Sequence, residues 1–160
     1  MPAENFGRHF ACWRELQCTR QGKAYKGRKC CQQTDALYRK AEAELYNLWP
    51  AVGLVNQARS NYRFSMLESK KGFYGCGIEI DTKLRKVEPP NRAKGIVARA
   101  NLFMSDKYNV SLSPAQRKLF NAWNHQFPPT PWEISWAAQV AQVEGYSNPY
   151  IDAYNNQTNQ

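Results

Sequence analysis

Apolar residues recur at helical spacing through most of this chain, and the exceptions fall near its start and its middle. Leu37, Ala41, Leu45 and Leu48 lie at i, i+4, i+8 and i+11, which predicts one buried stripe on a helix. Thr34-Asp35 offers that helix an acceptor side chain at its cap and a carboxylate near its positive end. Pro50, directly after Trp49, is expected to end it and to open a short second run carrying Asn56 and Arg59. Glu42 falls at the edge of the stripe beside Tyr38 and reads as a boundary carboxylate. From Gly72 the period changes. Tyr74, Cys76, Ile78 and Ile80 alternate with Phe73, Gly75, Gly77, Glu79 and Asp81, which predicts a half-buried strand. Lys83–Lys86 reads as a turn, and Pro89-Pro90 closes the strand region.

Asn91–Tyr108 carries the clearest helical pattern, with Ala93, Ile96, Val97, Ala100, Phe103, Met104 and Tyr108 as its core face. Arg92, Gly95 and Arg99 share another face, with Lys94 close by. Cations in a first helical turn oppose the helix dipole at a cost of roughly a few tenths of a kcal/mol each, so Arg92 and Lys94 point to an anion nearby. Gly95 leaves room for another backbone segment to approach. Ser113-Pro114-Ala115-Gln116 and Thr130-Pro131-Trp132-Glu133 read as capping boxes with proline at the first helical position. The helices they open bury Leu119, Phe120, Trp123 and Phe127, then Ile134, Ala137, Val140, Ala141 and Val143, with Gly145 as a stop. His125 reads as a surface residue, and Asn148–Ile151 as a docking segment. Residues 1–33 show no clean periodicity, and 155–160 form a polar tail expected to be disordered.

The formal net charge is +9, which points to a polyanionic partner. Residues 130–160 contain no Lys or Arg, so all 22 bases lie upstream of Thr130, against 10 of the 13 acids. A phosphate grip is therefore expected upstream. The loop Gln21–Lys29 is basic and punctuated by Gly22 and Gly27, a composition that suits phosphate contact through Lys26 and Arg28 or a solvated surface. Five cysteines leave at least one thiol unpaired within the chain. Cys12, Cys18, Cys30 and Cys31 crowd a loop-rich segment, which suits disulfide staples in an oxidising compartment. With two His and no C-x-x-C pair, a zinc site is not expected. No run of 18 apolar residues occurs, so no membrane span is expected, and Met1–Asn5 lacks the basic and apolar regions of a signal peptide.

Asn47-Leu48-x-Pro50-x-x-Gly53-x-Val55-Asn56-x-x-Arg59-Ser60-Asn61 resembles the signature of the endonuclease I family, bacterial periplasmic and secreted nucleases that cut DNA and RNA with little sequence preference. Further segments resemble the same family: Pro2–Gly7, Gly27-Arg28-Lys29-Cys30, Glu88-Pro89-Pro90-x-Arg92-Ala93-x-Gly95-x-x-Ala98-Arg99, Leu112-Ser113, Asn121-Ala122-Trp123, Trp132-Glu133 and Asn148-Pro149. The resemblance implies an α+β fold: a mostly helical single domain over 1–154 with a small antiparallel sheet and a ββα-metal (His-Me finger) site. It implies a monomer acting on nucleic acid in a periplasmic or secreted setting. It also implies hydrolysis assisted by Mg2+, or another divalent cation, that steadies the leaving oxygen, with a His as base and an Arg steadying the charge on phosphorus. By position, Asn56 resembles the metal-ligand Asn, Arg28 the phosphate-stabilising Arg and Glu42 a carboxylate bordering the site. Lys26, Arg28, Arg59, Arg92, Lys94 and Arg99 are the expected nucleic-acid contacts.

The chain departs from the family pattern in two places. The family's Glu-His pair, one metal ligand and the general base, precedes the Pro that aligns with Pro2, and this sequence begins at Met1. His9 is the one candidate substitute. In the last long helix, Trp136 and Gln139 stand where the family usually has Arg, and Ile134 and the Tyr154 segment where it usually has a Cys pair. Two other readings stay open: a nucleic-acid-binding domain without catalysis, and a basic domain that binds an acidic protein.

Overall fold

The computed structural model describes residues 1–68 and 72–155. In order, the chain forms α1 (Ala3–Gly7), α2 (Ala11–Arg14), β1 (Cys18–Arg20), β2 (Lys23–Tyr25), α3 (Arg28–Thr34), α4 (Ala36–Ala43), a 3-10 turn (Leu45–Asn47), α5 (Gly53–Arg59), β3 (Arg63–Phe64), β4 (Glu79–Asp81), β5 (Lys86–Glu88), α6 (Asn91–Lys107), α7 (Pro114–Gln126), α8 (Pro131–Glu144) and α9 (Pro149–Asn155). β1 and β2 make an antiparallel hairpin. The second sheet has the order β3-β5-β4, with β3 parallel and β4 antiparallel to β5. The α+β class and its helical majority stand as expected, and the second sheet is mixed.

α6 is the hub. Met104 and Tyr108 join Phe6, Phe10, Tyr38, Ala41 and the four clustered cysteines in one core. Phe103 joins Tyr46, Ala137, Val140 and Ile151 in a second, and Ala98 and Leu102 join Phe120 and Trp123 in a third. A helix buried on several sides cannot keep one core face. This is why Ala93, Ile96 and Val97 are only half-buried while Lys94, Gly95, Ala98 and Arg99 are buried.

The local start and stop signals work as their chemistry dictates. Asp35 accepts from Tyr38 N, Ser113 from Gln116 N and Thr130 from Glu133 N, each satisfying an orphan donor of a first turn. Gly145 ends α8 at φ 77. Gly95 does admit a backbone segment: a Cβ there would stand 2.1 Å from the Phe127 carbonyl oxygen and 2.7 Å from Arg99 Nη2. Alanine normally gains about 1 kcal/mol over glycine inside a helix. Here Gly95→Ala should instead destabilise the protein by about 1–3 kcal/mol, because the overlap is with backbone that cannot give way. The urea midpoint checks this, and an unchanged or higher midpoint would remove the close approach.

Two expected elements differ. The helix over Leu37–Leu48 stops at Ala43, and Leu37 and Leu48 are each half exposed. Glu44 breaks it. Its carboxylate is buried at 1% exposure and accepts from Tyr46 N, Tyr108 Oη and Tyr146 Oη at 3.0, 2.7 and 2.8 Å. Burial first, and then this carboxylate, push the Tyr108 and Tyr146 hydroxyls above their ordinary range. Three donors on a buried carboxylate outweigh one more helical turn. The strand expected from Gly72 to Asp81 is paired only over Glu79–Asp81. Gly72, Tyr74, Gly75 and Gly77 all have positive φ, which an extended ladder does not allow. The tail expected to be disordered lies outside the described residues beyond Asn155.

Candidate active site and nucleic-acid interface

The cysteine core fixes the first part of the candidate site. Cys12 pairs with Cys31 and Cys18 with Cys30, and Cys76 is the free thiol. These two links hold the start of α3 against α2 and the β1–β2 hairpin, and Arg28 stands at the first position of α3. Its side chain is 58% exposed. Arg28 Nε donates to Glu42 Oε1 at 2.5 Å, while Gln32 Nε2 holds Glu42 Oε2 at 2.8 Å and Tyr38 Oη lies 3.4 Å from Oε1. Burial, and then the Glu42 charge, push the Tyr38 hydroxyl up to about 12, so it stays a donor. Glu42 thereby orients the guanidinium through Nε while more than half of the Arg28 side chain stays open to an oxyanion.

The second part lies on α5. Arg59 Nη2 donates to Asn56 Oδ1 at 2.8 Å, one helical turn away, and Asn56 is exposed. Burial pulls the half-buried Arg59 guanidinium below the usual arginine value. Asn47, in the segment leading to α5, donates through Nδ2 to Met1 O at 2.9 Å and accepts from Met1 N, which ties α1 to the signature segment. Asn61 Nδ2 donates to Glu4 Oε2 at 2.5 Å and Asn61 Oδ1 accepts from Arg85 Nη2 at 2.7 Å. The structure therefore joins Arg28 with Glu42, and Arg59 with Asn56. No hydrogen bond or ion pair links one pair to the other.

The other expected contacts divide. Lys26 is exposed, with Nζ on the Arg14 carbonyl at 2.8 Å, and Arg92 is exposed at the start of α6. Lys94 and Arg99 do not reach solvent. Lys94 Nζ bonds Glu88 Oε1 at 2.7 Å with both side chains buried. Arg99 is 2% exposed and grips Glu133 through Nε at 2.7 Å and Nη2 at 2.5 Å. The anion that the basic first turn called for is a carboxylate of the protein itself. His9 is exposed and bonded to neither pair. Sequence reasoning missed the cations beside the signature, Arg63, Arg85 and Lys86, which surround one cavity with Asn61 and Tyr62. Their proximity to Asn61 was the available signal.

The sequence profile of the Endonuclease I family matches residues 9–154. The chain belongs to the Endonuclease I family. It is 38% identical over 152 residues to "Endonuclease-1" of Buchnera aphidicola subsp. Acyrthosiphon pisum, covering 94% of this chain and 56% of that protein. It is 38% identical over 154 residues to a "Periplasmic deoxyribonuclease" of Aeromonas hydrophila, covering 95% and 60%. It is 40% identical over 154 residues to an "Extracellular deoxyribonuclease" of the same species, covering 95% and 63%. The chain thus spans less than two thirds of the length of the curated relatives it matches.

Membership of the Endonuclease I family suggests a divalent cation, and the donor set can be tested for it. Among the described residues no three His, Cys, Asp or Glu side chains gather as a metal site. Asn56 offers one neutral oxygen, already bonded to a guanidinium. A hard divalent cation takes about six oxygens, with carboxylates among them as a rule. The described residues do not fit the ion on their own.

Proposed function

We propose that this chain is the body of an Mg2+-dependent, sequence-non-specific endonuclease that hydrolyses phosphodiester bonds in DNA in a periplasmic or secreted setting. The observation that carries it is the Arg28–Glu42 pair, an exposed guanidinium aimed by a half-buried carboxylate, on a chain of Endonuclease I sequence. Arg28 takes a non-bridging phosphate oxygen and steadies the charge that grows on it during attack by water. Glu42 is a positioning residue that acts through Arg28. Lys26, Arg59 and Arg92 supply further charge to the strand. Among the described residues, Asn56 would join a metal's ligands. The names of the relatives and the two disulfides support the oxidising location.

A second reading, nucleic-acid binding without cleavage, is favoured by the incomplete donor set. One assay separates the two: conversion of supercoiled plasmid to nicked circles in Mg2+ and in EDTA. The endonuclease reading expects nicking in Mg2+ alone, slowed about 100-fold or more in Arg28→Ala. Salt-sensitive binding with no nicking in Mg2+ would replace it with the second reading.

A further inference from the structure

A cavity of about 550 Å³ opens between α1, the β3–β5 edge and the start of α7. Its wall holds Arg8, Arg63, Arg85, Lys86 and His9, and no carboxylate. Arg8 is answered by Glu4. Arg85 is stacked 5.1 Å from the Tyr62 ring centroid and bonded to Asn61. Among the described residues Arg63 and Lys86 have no carboxylate partner, yet they are register partners across the parallel β3–β5 pair. Like charges placed side by side on a sheet repel. Asp81 is in register with Lys86 on its other side, but its carboxylate caps the turn at Leu84 N. Arg85 itself sits at φ 53, a left-handed conformation that costs a non-glycine residue. The fold thus collects these cations around one space.

The remaining wall is polar in a specific way. Asn101, 4% exposed, uses Nδ2 on the Val97 carbonyl, and among the described residues its Oδ1 accepts no hydrogen bond. Gln116 uses Nε2 on the Phe64 carbonyl, and among the same residues its Oε1 likewise accepts none. Two amide acceptors behind a ring and a row of cations match the parts of a nucleotide. A phosphate needs the cations, a base or sugar needs the ring, and every base carries an N–H for an amide oxygen. The volume lies in the range of small-ligand sites and excludes a duplex.

We propose that this cleft seats one nucleotide of a single nucleic-acid strand, with its phosphates on Arg63 and Lys86 and its base against Tyr62, Asn101 and Gln116. This rests on the nuclease reading and adds a subsite to it, next in sequence to the Asn56–Arg59 segment. Every base carries at least one N–H for one of the two acceptors, so the subsite adds grip without sequence preference.

The test is anisotropy of a fluorescein-labelled oligothymidylate with the full chain in EDTA, across roughly 50–200 mM salt. Arg63→Ala/Lys86→Ala should weaken binding at least about 10-fold and lower the log–log salt slope by about 1.4, two single-strand phosphates' worth. Lys40→Ala/Lys118→Ala, which removes the same charge from exposed positions outside the cleft, should change the slope by less than about half of that. Ser111→Glu adds a negative charge at an exposed wall position whose side chain makes no hydrogen bond among the described residues. It should weaken binding too, and it decides the matter if the double variant does not fold. Equal effects of the cleft and control pairs, with Ser111→Glu binding as wild type, would overturn the subsite and leave the nuclease reading standing. No binding by the wild-type chain would overturn both.

Discussion

Replacing Arg99 by alanine is expected to cost about 3–5 kcal/mol of stability, because Glu133 would keep its charge in the interior without its partner. Few residues in the chain are as thoroughly held. Besides the two bonds to Glu133, Arg99 Nη1 donates to the Phe127 carbonyl at 2.8 Å and to Asn124 Oδ1 at 3.2 Å. It therefore joins α6 to α7, to the α7–α8 connection and to α8. For a domain of this size each kcal/mol moves the melting temperature by roughly 2–4 °C, so a fall of about 10 °C is expected by calorimetry. Arg99→Met/Glu133→Leu should recover most of the loss, since a buried pair replaced by apolar side chains of similar volume is often close to neutral. Salt should hardly alter either result, because buried charges are screened little. A melting temperature unchanged in Arg99→Ala would mean that the pair is open to water and that Arg99 is free to meet a phosphate after all.

The second large effect is expected on reduction. The two disulfides close nested segments of 19 and 12 residues, and a cross-link of that span contributes about 3 kcal/mol. Both close the same stretch of chain, so reducing them together should cost about 4–6 kcal/mol, less than two independent links. The consequence reaches the site. Arg28 lies two residues before Cys30, and the cysteine core is what fixes α3 beneath it. Melting with and without reductant should show the loss, and nicking should fall with it. Cys12→Ala/Cys31→Ala should reproduce about half of the stability change. Reduced protein with an unaltered melting temperature and full nicking would place the order of the first 34 residues elsewhere, in the aromatic contacts of Tyr38 with Phe6, Phe10 and Trp13.

What could be read in advance follows the range of the interaction. Caps at Asp35, Ser113 and Thr130 and the stop at Gly145 act over three or four residues, and the sequence contains both partners of each. Gly95 was legible because a missing side chain on a packed helix has few other uses. Lys94 and Arg99 were not. A charge six or 34 residues away decides whether a cation is a surface grip or an interior tie, and no period records that distance. Glu44 is the same case with tyrosines as partners, and it broke a helix that propensity would have continued. The strand at 72–81 failed for a different reason. Alternation marks sides of an extended chain, but glycine and tyrosine at positive φ had removed the extension. At the site, the family resemblance pointed to Arg28, Glu42, Asn56 and Arg59 one by one, and their pairing as Arg28 with Glu42 and Arg59 with Asn56 is added by the structure. It said nothing of the cations on β3 and β5, because they are gathered by strand pairing.

The proposed endonuclease requires that Arg28 and Asn56 serve one phosphodiester. A double-mutant cycle on plasmid nicking in Mg2+ tests it most directly, with Arg28→Ala, Asn56→Ala and the pair. Groups that act as a unit are strongly non-additive, so the double variant should be slowed little more than the worse single variant. Losses that multiply would mean two independent sites and would contradict a shared phosphodiester.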